Sequence, residues 1–335
     1  MNPLENQEKP KILIIRMLGL GDVTCIGIPA LRFVQAKNPD AEIHFMTFAA
    51  GKEVIQLAEP SVKVMGLDKG EWPDNIVYAM ETFLGLAEEI VGEGYRQIIN
   101  LDTWFMPCFL ARFLKDAGEP VIGNLMSISV AGLVEQFQAQ TLKPDYVNEP
   151  AAYMQSTWFS MHRWNTLWWE SGLAPDGGYP EFYLRTCCGF SEIKLDMHIE
   201  VISDPRLSKI RANQKVVALA CDARTQERNY PYANDLKKLL NAKGIHVWSG
   251  FDGKVPVKQT LAQLASTDLL ITVPSAPQWL AAAVDCPSLV ITGNVDPRTL
   301  MPDFATDMSD EPVLPEVLAA GVFSILDGDS SVEQA

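Results

Sequence analysis

The hydrophobic positions of this chain fall into two series of the same kind. Short runs rich in Ile, Leu and Val alternate with stretches whose apolar residues recur every three to four positions, the two periods that separate buried strands from amphipathic helices. In the first series strands are predicted at 11–15, 42–47, 62–67, 96–101 and 121–123, and helices at 28–37, 51–58, 76–91 and 105–114. Two further apolar stretches, 126–140 and 151–171, follow; the second holds Trp158, Trp164, Trp168 and Trp169, whose spacing fits helix packing better than a sugar-stacking platform. A Pro/Gly-rich break at 174–180 leads to a short strand at 182–184 and a less patterned stretch to Asp204. The second series has strands at 215–220, 246–249, 269–273 and 288–292, and helices at 232–242, 257–265 and 277–284, before an acidic, weakly patterned tail from Asp303. Strands alternating with helices in this way imply parallel sheets with right-handed crossovers, one on each side of the break. The expected domains are therefore 1–186 and 187–335.

Length agrees with that division, since 335 residues exceed what one compact core holds. The formal charge of −15 is spread over both halves, −9 over residues 1–185 and −6 over the rest. Nucleic acid is not an expected partner, because a polyanion needs clustered basic residues. Residues 1–10 lack the basic start and apolar core of a signal peptide, and the longest run without charge is the 16 residues between Asp268 and Asp285, interrupted by two prolines. No transmembrane segment is expected. The six cysteines, Cys25, Cys108, Cys187, Cys188, Cys221 and Cys286, show no CxxC spacing, and there are only four histidines. Neither a metal site nor a disulfide framework follows, and a cytoplasmic location is the simplest reading. The adjacent Cys187 and Cys188 read as buried or linker thiols before they read as a redox pair.

Three loops carry candidate chemistry. The first strand runs into Gly19-Leu-Gly21-Asp22-Val23-Thr24, placing Asp22 at the carboxyl end of a strand, where open α/β sheets bind ligands. Asp22 is a candidate ligand-edge residue, or else a helix N-cap. A dinucleotide fingerprint would need a third glycine where Thr24 stands, so a nicotinamide oxidoreductase draws support only from Gly19 and Gly21. In the second series, Arg224 and Arg228 follow a strand and precede a helix, where guanidinium groups can meet a diphosphate or simply be solvated. The loop Pro274-Ser275-Ala276-Pro277 opens a helix whose free N–H groups could receive phosphate, although the pattern is also an ordinary helix start.

Together these loops resemble glycosyltransferase family nine, the heptosyltransferases. The resemblance spans the opening strand with Arg16, the Gly21-Asp22-Val23 turn and Pro29-Ala30-Leu31; the segment Tyr95 to Asp102; Ala223-Arg224 through Arg228-Asn-Tyr-Pro231; Leu270 through Trp279-Leu280; and Gly293-Asn-Val-Asp296-Pro297. It implies a GT-B architecture, two Rossmann-like α/β domains facing a central cleft, the first on the acceptor side and the second binding a nucleotide sugar. By the same resemblance Asp22 is the catalytic base; Arg224, Arg228, Asp252, Ser275, Ala276, Pro277 and Trp279 hold the donor; and Arg16, Gly19, Gly21 and Thr24 face the acceptor. The implied donor is a nucleotide diphosphate sugar, ADP-heptose by default. The implied acceptor is a glycan or the lipopolysaccharide core, reached by peripheral contact at the inner membrane face, with no metal or other cofactor.

The departures are specific. Where the family's donor loop carries Asp, Gly and His, this chain has Pro274, Ala276 and Trp279. Those substitutions favour, as an alternative, a non-catalytic GT-B-like module that binds a glycan or a protein.

Overall fold

The structure is a computed structural model and describes residues 9–17, 19–68, 76–172, 174–223 and 226–328. The chain forms two compact units, and each takes more than one stretch of sequence: residues 1–19, 26–166 and 183–194 make the first, and 20–25, 167–182 and 195–335 the second.

The first unit is built on a six-stranded sheet of β1 (Lys11–Ile15), β2 (Glu42–Met46), β3 (Lys63–Met65), β4 (Gln97–Asn100), β5 (Val121–Met126) and β6 (Met154–Ser156). Their order is β3-β2-β1-β4-β5-β6, parallel except for β6, which pairs antiparallel with β5. The unbroken apolar run of β1 is what a central parallel strand requires, because both faces are covered, and Ile12 to Ile15 are wholly buried. The helices Ile76–Glu93 and Phe105–Asp116 supply Phe83, Ile90, Phe109, Leu110 and Leu114 to the same core.

Helix Ile76–Glu93 ends on a carboxylate that ties two strand starts together: Glu93 Oε2 lies 2.9 Å from Lys11 Nζ and Oε1 lies 2.7 Å from Lys63 Nζ. The hydrogen bonds from Lys63 and then Lys11 bring the Glu93 carboxyl from 4.5 down to about 2. A carboxyl lowered in the folded state stabilises above its unfolded value and loses that contribution as pH falls. Urea unfolding of Glu93→Gln and the parent chain is therefore expected to differ at neutral pH and to converge between pH 4.5 and 2; a gap independent of pH would refute the bridge.

The second sheet contains β7 (Val216–Ala220), β8 (His246–Trp248), β9 (Leu269–Thr272), β10 (Ser288–Val290) and β11 (Phe304–Ala305), all parallel, in the order β11-β10-β9-β7-β8. Leu236 and Leu240 of helix Ala233–Ala242 and Leu318, Ala319 and Val322 of helix Pro315–Asp327 pack into its core.

Four local expectations are corrected. Strand β5 does not stop at Gly123 but runs to Met126. Gly123 takes φ +102° and sits so close to β4 that a Cβ would lie 2.3 Å from the Asn100 carbonyl oxygen, so this glycine permits strand contact instead of ending it. Residues 151–171 are not one helical stretch: a turn of helix, Pro150–Tyr153, gives way to β6 and then a 3-10 segment, Phe159–Asn165. The tryptophans there pack locally: Trp158 lies edge-on to Phe190, while Trp168 stacks on Phe182 at 4.6 Å and meets Trp169 edge-on at 5.4 Å. Residues 182–184 are helical, not extended; Pro180 in the preceding turn fits a helix start, and Glu181 accepts a hydrogen bond from the Gly177 N–H. The tail from Asp303 contains both a strand and a packed helix, its apolar stripe having been masked by the surrounding acids.

Candidate functional site

In the first unit, the carboxyl ends of β1, β4 and β5 converge on a buried polar network. Arg16, expected to face an acceptor, is 1% exposed; its Nη1 donates to the Leu101 carbonyl at 2.9 Å, lies 3.9 Å from Asp102 Oδ1, and its guanidinium sits over the Tyr183 ring. Asp102, fully buried, accepts from the Met17 N–H at 2.6 Å and from the Thr103 N–H at 3.1 Å. Asn124 donates to the Asp102 carbonyl and to the Tyr183 hydroxyl, and Tyr183 in turn donates to the Leu101 carbonyl. The network holds the main chain that leads out of β1. Sequence reasoning singled out Arg16 alone; Asn100 and Asp102 entered only within the matching segment Tyr95 to Asp102, and Asn124 and Tyr183 were missed. An asparagine inside an apolar strand was the available signal, because a buried amide must find partners.

Gly19 lies past the end of β1 with φ +85°, which accounts for a glycine there. Asp22 is the third residue of the short helical turn Leu20–Asp22, so it is not an N-cap but a half-buried first-turn acid, placed where the helix dipole favours negative charge. A π turn, Val23–Gly27, follows and hands over to helix Ile28–Lys37. Pro29 has no N–H for the Cys25 carbonyl, and a widened turn is how a helix accommodates that loss. Thr24 is fully buried and its hydroxyl donates to the Leu20 carbonyl at 2.9 Å, which makes it part of the turn's scaffold. Gly21 packs directly on Ala276 and Trp279, at the start of helix Ala276–Ala282.

The donor candidates divide. A cavity of about 430 Å³ opens at the carboxyl edge of the second sheet, between the loops that follow β7, β9, β10 and β11. Arg228, at the end of the 3-10 turn Gln226–Arg228, and Pro274 line it, together with Tyr230, Thr292, Gly293 and Asp307. Its walls are pinned: Tyr230 donates to the Val313 carbonyl at 2.9 Å, Asn229 accepts from the Ala223 N–H, and the Thr292 hydroxyl donates to the Thr306 and Asp307 carbonyls at 3.1 Å. A second cavity, of about 470 Å³, lies by the amino ends of β7 and β8, beside Lys215 and Ile245. The first has the better claim, because ligands of open α/β sheets bind outside the carboxyl ends of the strands.

Ser275 directs its hydroxyl to the Val273 carbonyl at 3.0 Å and to Thr272 Oγ1 at 3.3 Å, so that group shapes the turn before the helix. Ala276 and Pro277 are the first residues of that helix and, like Trp279, are absent from the cavity wall. Asp252 is exposed after β8, paired with Lys254 at 2.6 Å and lowered by that lysine's hydrogen bond; it also stands apart from the cavity. Arg224 lies outside the described residues. Among the described residues no group of three or more His, Cys, Asp or Glu is placed to hold a metal ion, and no helix is long and apolar enough to cross a membrane. All six cysteines are buried free thiols; burial pushes Cys187 up to about 12, far from thiolate reactivity.

No protein-family model matches this sequence, and no curated protein matches it either. Solved structures do. The chain is similar over 99% of its length to 94% of a glycosyl transferase family 9 structure from Veillonella parvula, with a TM-score of 0.58 at 15% identity. It is also similar over 96% of its length to the whole of the E. coli ADP-heptose lps heptosyltransferase II, with a TM-score of 0.56 at 14% identity. The E. coli heptosyltransferase WaaC with ADP matches over the same 96%, with a TM-score of 0.57 at 13% identity. The fold is that of the GT-B glycosyltransferases, two α/β units each with a parallel sheet, as the resemblance in sequence implied.

Proposed function

We propose, from a fold shared with heptosyltransferases and from the loops that crown its two sheets, that this chain is a metal-independent glycosyltransferase. It moves a sugar, by default heptose, from a nucleotide diphosphate donor to a hydroxyl of a glycan or lipopolysaccharide-core acceptor. The cavity at the carboxyl edge of the second sheet carries the reading. Its volume suits a nucleotide, and Arg228 on its wall offers the planar donor pair that a diphosphate accepts. Glu227, Asp307, Asp310 and Glu311 share that wall and suit the hydroxyl-rich parts of such a donor, since carboxylates accept from ribose and sugar O–H groups. Asp22 takes the proton of the acceptor hydroxyl as it attacks the anomeric carbon; the glycosidic C–O bond of the donor breaks and the nucleoside diphosphate leaves with the electron pair. Arg228, with Arg224, stabilises the charge that develops on that leaving group. That a solved neighbour is a heptosyltransferase with ADP supports an adenine nucleotide. A cytoplasmic chain acting at the inner membrane face belongs to the same proposal.

Calorimetric titration with ADP-, UDP- and GDP-sugars tests it. Binding of one of them is expected, and binding of none would reject the transferase. Arg228→Ala is expected to weaken donor binding by about 1.5–3 kcal/mol, the worth of a charged hydrogen bond, with turnover at saturating donor affected less. The second reading, a non-catalytic module, is favoured by Pro274 on the cavity wall and by the Ser275 hydroxyl being engaged within its own turn. It predicts no turnover of any nucleotide sugar.

A further inference from the structure

Asp22 follows directly on a close approach between two loops. A Cβ built on Gly21 would lie 2.8 Å from Trp279 Cδ1 and 3.2 Å from Ala276 Cα, so the indole edge rests against the Gly21 main chain. Backbone conformation does not call for glycine here, because Gly21 lies in the helical turn Leu20–Asp22 and is not among the glycines with positive φ. Space alone does. Trp279 is 8% exposed, and the helix that carries it is held by Gln278, whose amide Nε2 donates to the Leu300 carbonyl. An indole has only two side-chain torsions, so once buried it is a rigid wedge. It stands, moreover, at the position where the resembling family carries its donor-loop histidine, yet it is absent from the cavity wall that Pro274 lines.

We propose that Trp279 is a positioning residue: its indole, seated on Gly21, fixes the turn on which the Asp22 carboxylate stands. The inference rests on the transferase reading and on Asp22 as its base. Gly21 and Trp279 are then one device, small against large, and neither can change alone. The consequence for rate is steep, because displacing a reacting group by 1 Å costs on the order of 10²-fold.

Three variants of the full-length chain test this: Trp279→Val, which ends at the γ carbons; Trp279→Phe, which keeps a δ carbon at the contact; and Gly21→Ala. Trp279→Val is expected to lose about 10²-fold in kcat while donor affinity, measured by calorimetry, stays at the parent level. Trp279→Phe is expected to recover most of that loss. Gly21→Ala is expected to lower the melting temperature more in the parent than beside Trp279→Val, where the added methyl finds room. Two results would overturn the inference: donor affinity that falls in Trp279→Val with kcat intact, which makes the indole a donor contact, or Gly21→Ala matching the parent in melting temperature and kcat. A parent chain that turns over no nucleotide sugar would instead retire the transferase reading, and the positioning role with it. The melting-temperature coupling would still report whether the contact exists.

Discussion

Asp22→Asn is expected to keep the fold and the donor affinity of the parent chain while kcat falls by roughly 10² to 10⁴-fold, the usual worth of a positioned proton acceptor. The substitution is nearly isosteric, and it removes the basic oxygen without changing the volume of the turn Leu20–Asp22. As a first-turn acid, Asp22 also gains from the helix dipole, an effect of only about 0.3–1 kcal/mol at a partly exposed site. The structural and catalytic roles therefore separate by size. A purely structural Asp22 gives a small shift in melting temperature and an unchanged rate; a base gives the same small shift and a rate lower by orders of magnitude. Single-turnover assays at saturating donor would read the difference directly. An Asp22→Asn variant with the parent's rate would move the search for a base to another carboxylate.

Much of this was legible in the sequence, for reasons that differ from element to element. β1, β7 and β9 were read closely because a central parallel strand is apolar on both faces, and the runs Lys11–Ile15, Val216–Ala220 and Leu269–Thr272 leave no competing period. The tail helix Pro315–Asp327 was missed because its buried residues, Leu318, Ala319 and Val322, form a short stripe that flanking acids obscure. Gly123 was misread because a glycine before an asparagine resembles a turn, and only the neighbouring strand reveals that the glycine is there for clearance. At the candidate site, loops after strands could be located, and Arg228, which lines the cavity, lies in one of them. What a side chain does within its loop could not be. Ser275 and Thr24 carry hydroxyls suited to a ligand, yet both spend them on main-chain carbonyls two to four residues away, a local competition that the sequence does not display. The cavity residues Thr292 and Thr306 went unnamed because their pairing joins positions 14 residues apart.

The second large effect is expected at Asp102. Its carboxylate is wholly enclosed, accepts from the Met17 N–H at 2.6 Å and the Thr103 N–H at 3.1 Å, and faces the buried guanidinium of Arg16 at 3.9 Å. The hydrogen bonds are shorter than the ion-pair distance, so the carboxylate serves first as a main-chain anchor and second as a counter-charge. Removing it strips two buried N–H groups of their acceptor and takes a counter-charge from beside a buried cation, a combination that costs on the order of 3–5 kcal/mol. Asp102→Ala is expected to lower the unfolding free energy by that amount, read as a lower urea midpoint with the slope of the transition unchanged. Asp102→Asn, which retains one carbonyl oxygen for Met17, is expected to fall between the two. Arg16→Met in the Asp102→Ala background then separates the contributions: if the lost counter-charge dominates, the double variant regains stability over Asp102→Ala, because replacing both members of a buried pair with apolar groups is often close to neutral. If the orphaned N–H groups dominate, it does not. A loss below about 1 kcal/mol in Asp102→Ala, within the range of an ordinary surface substitution, would mean that the chain leaving β1 is held by something other than this carboxylate.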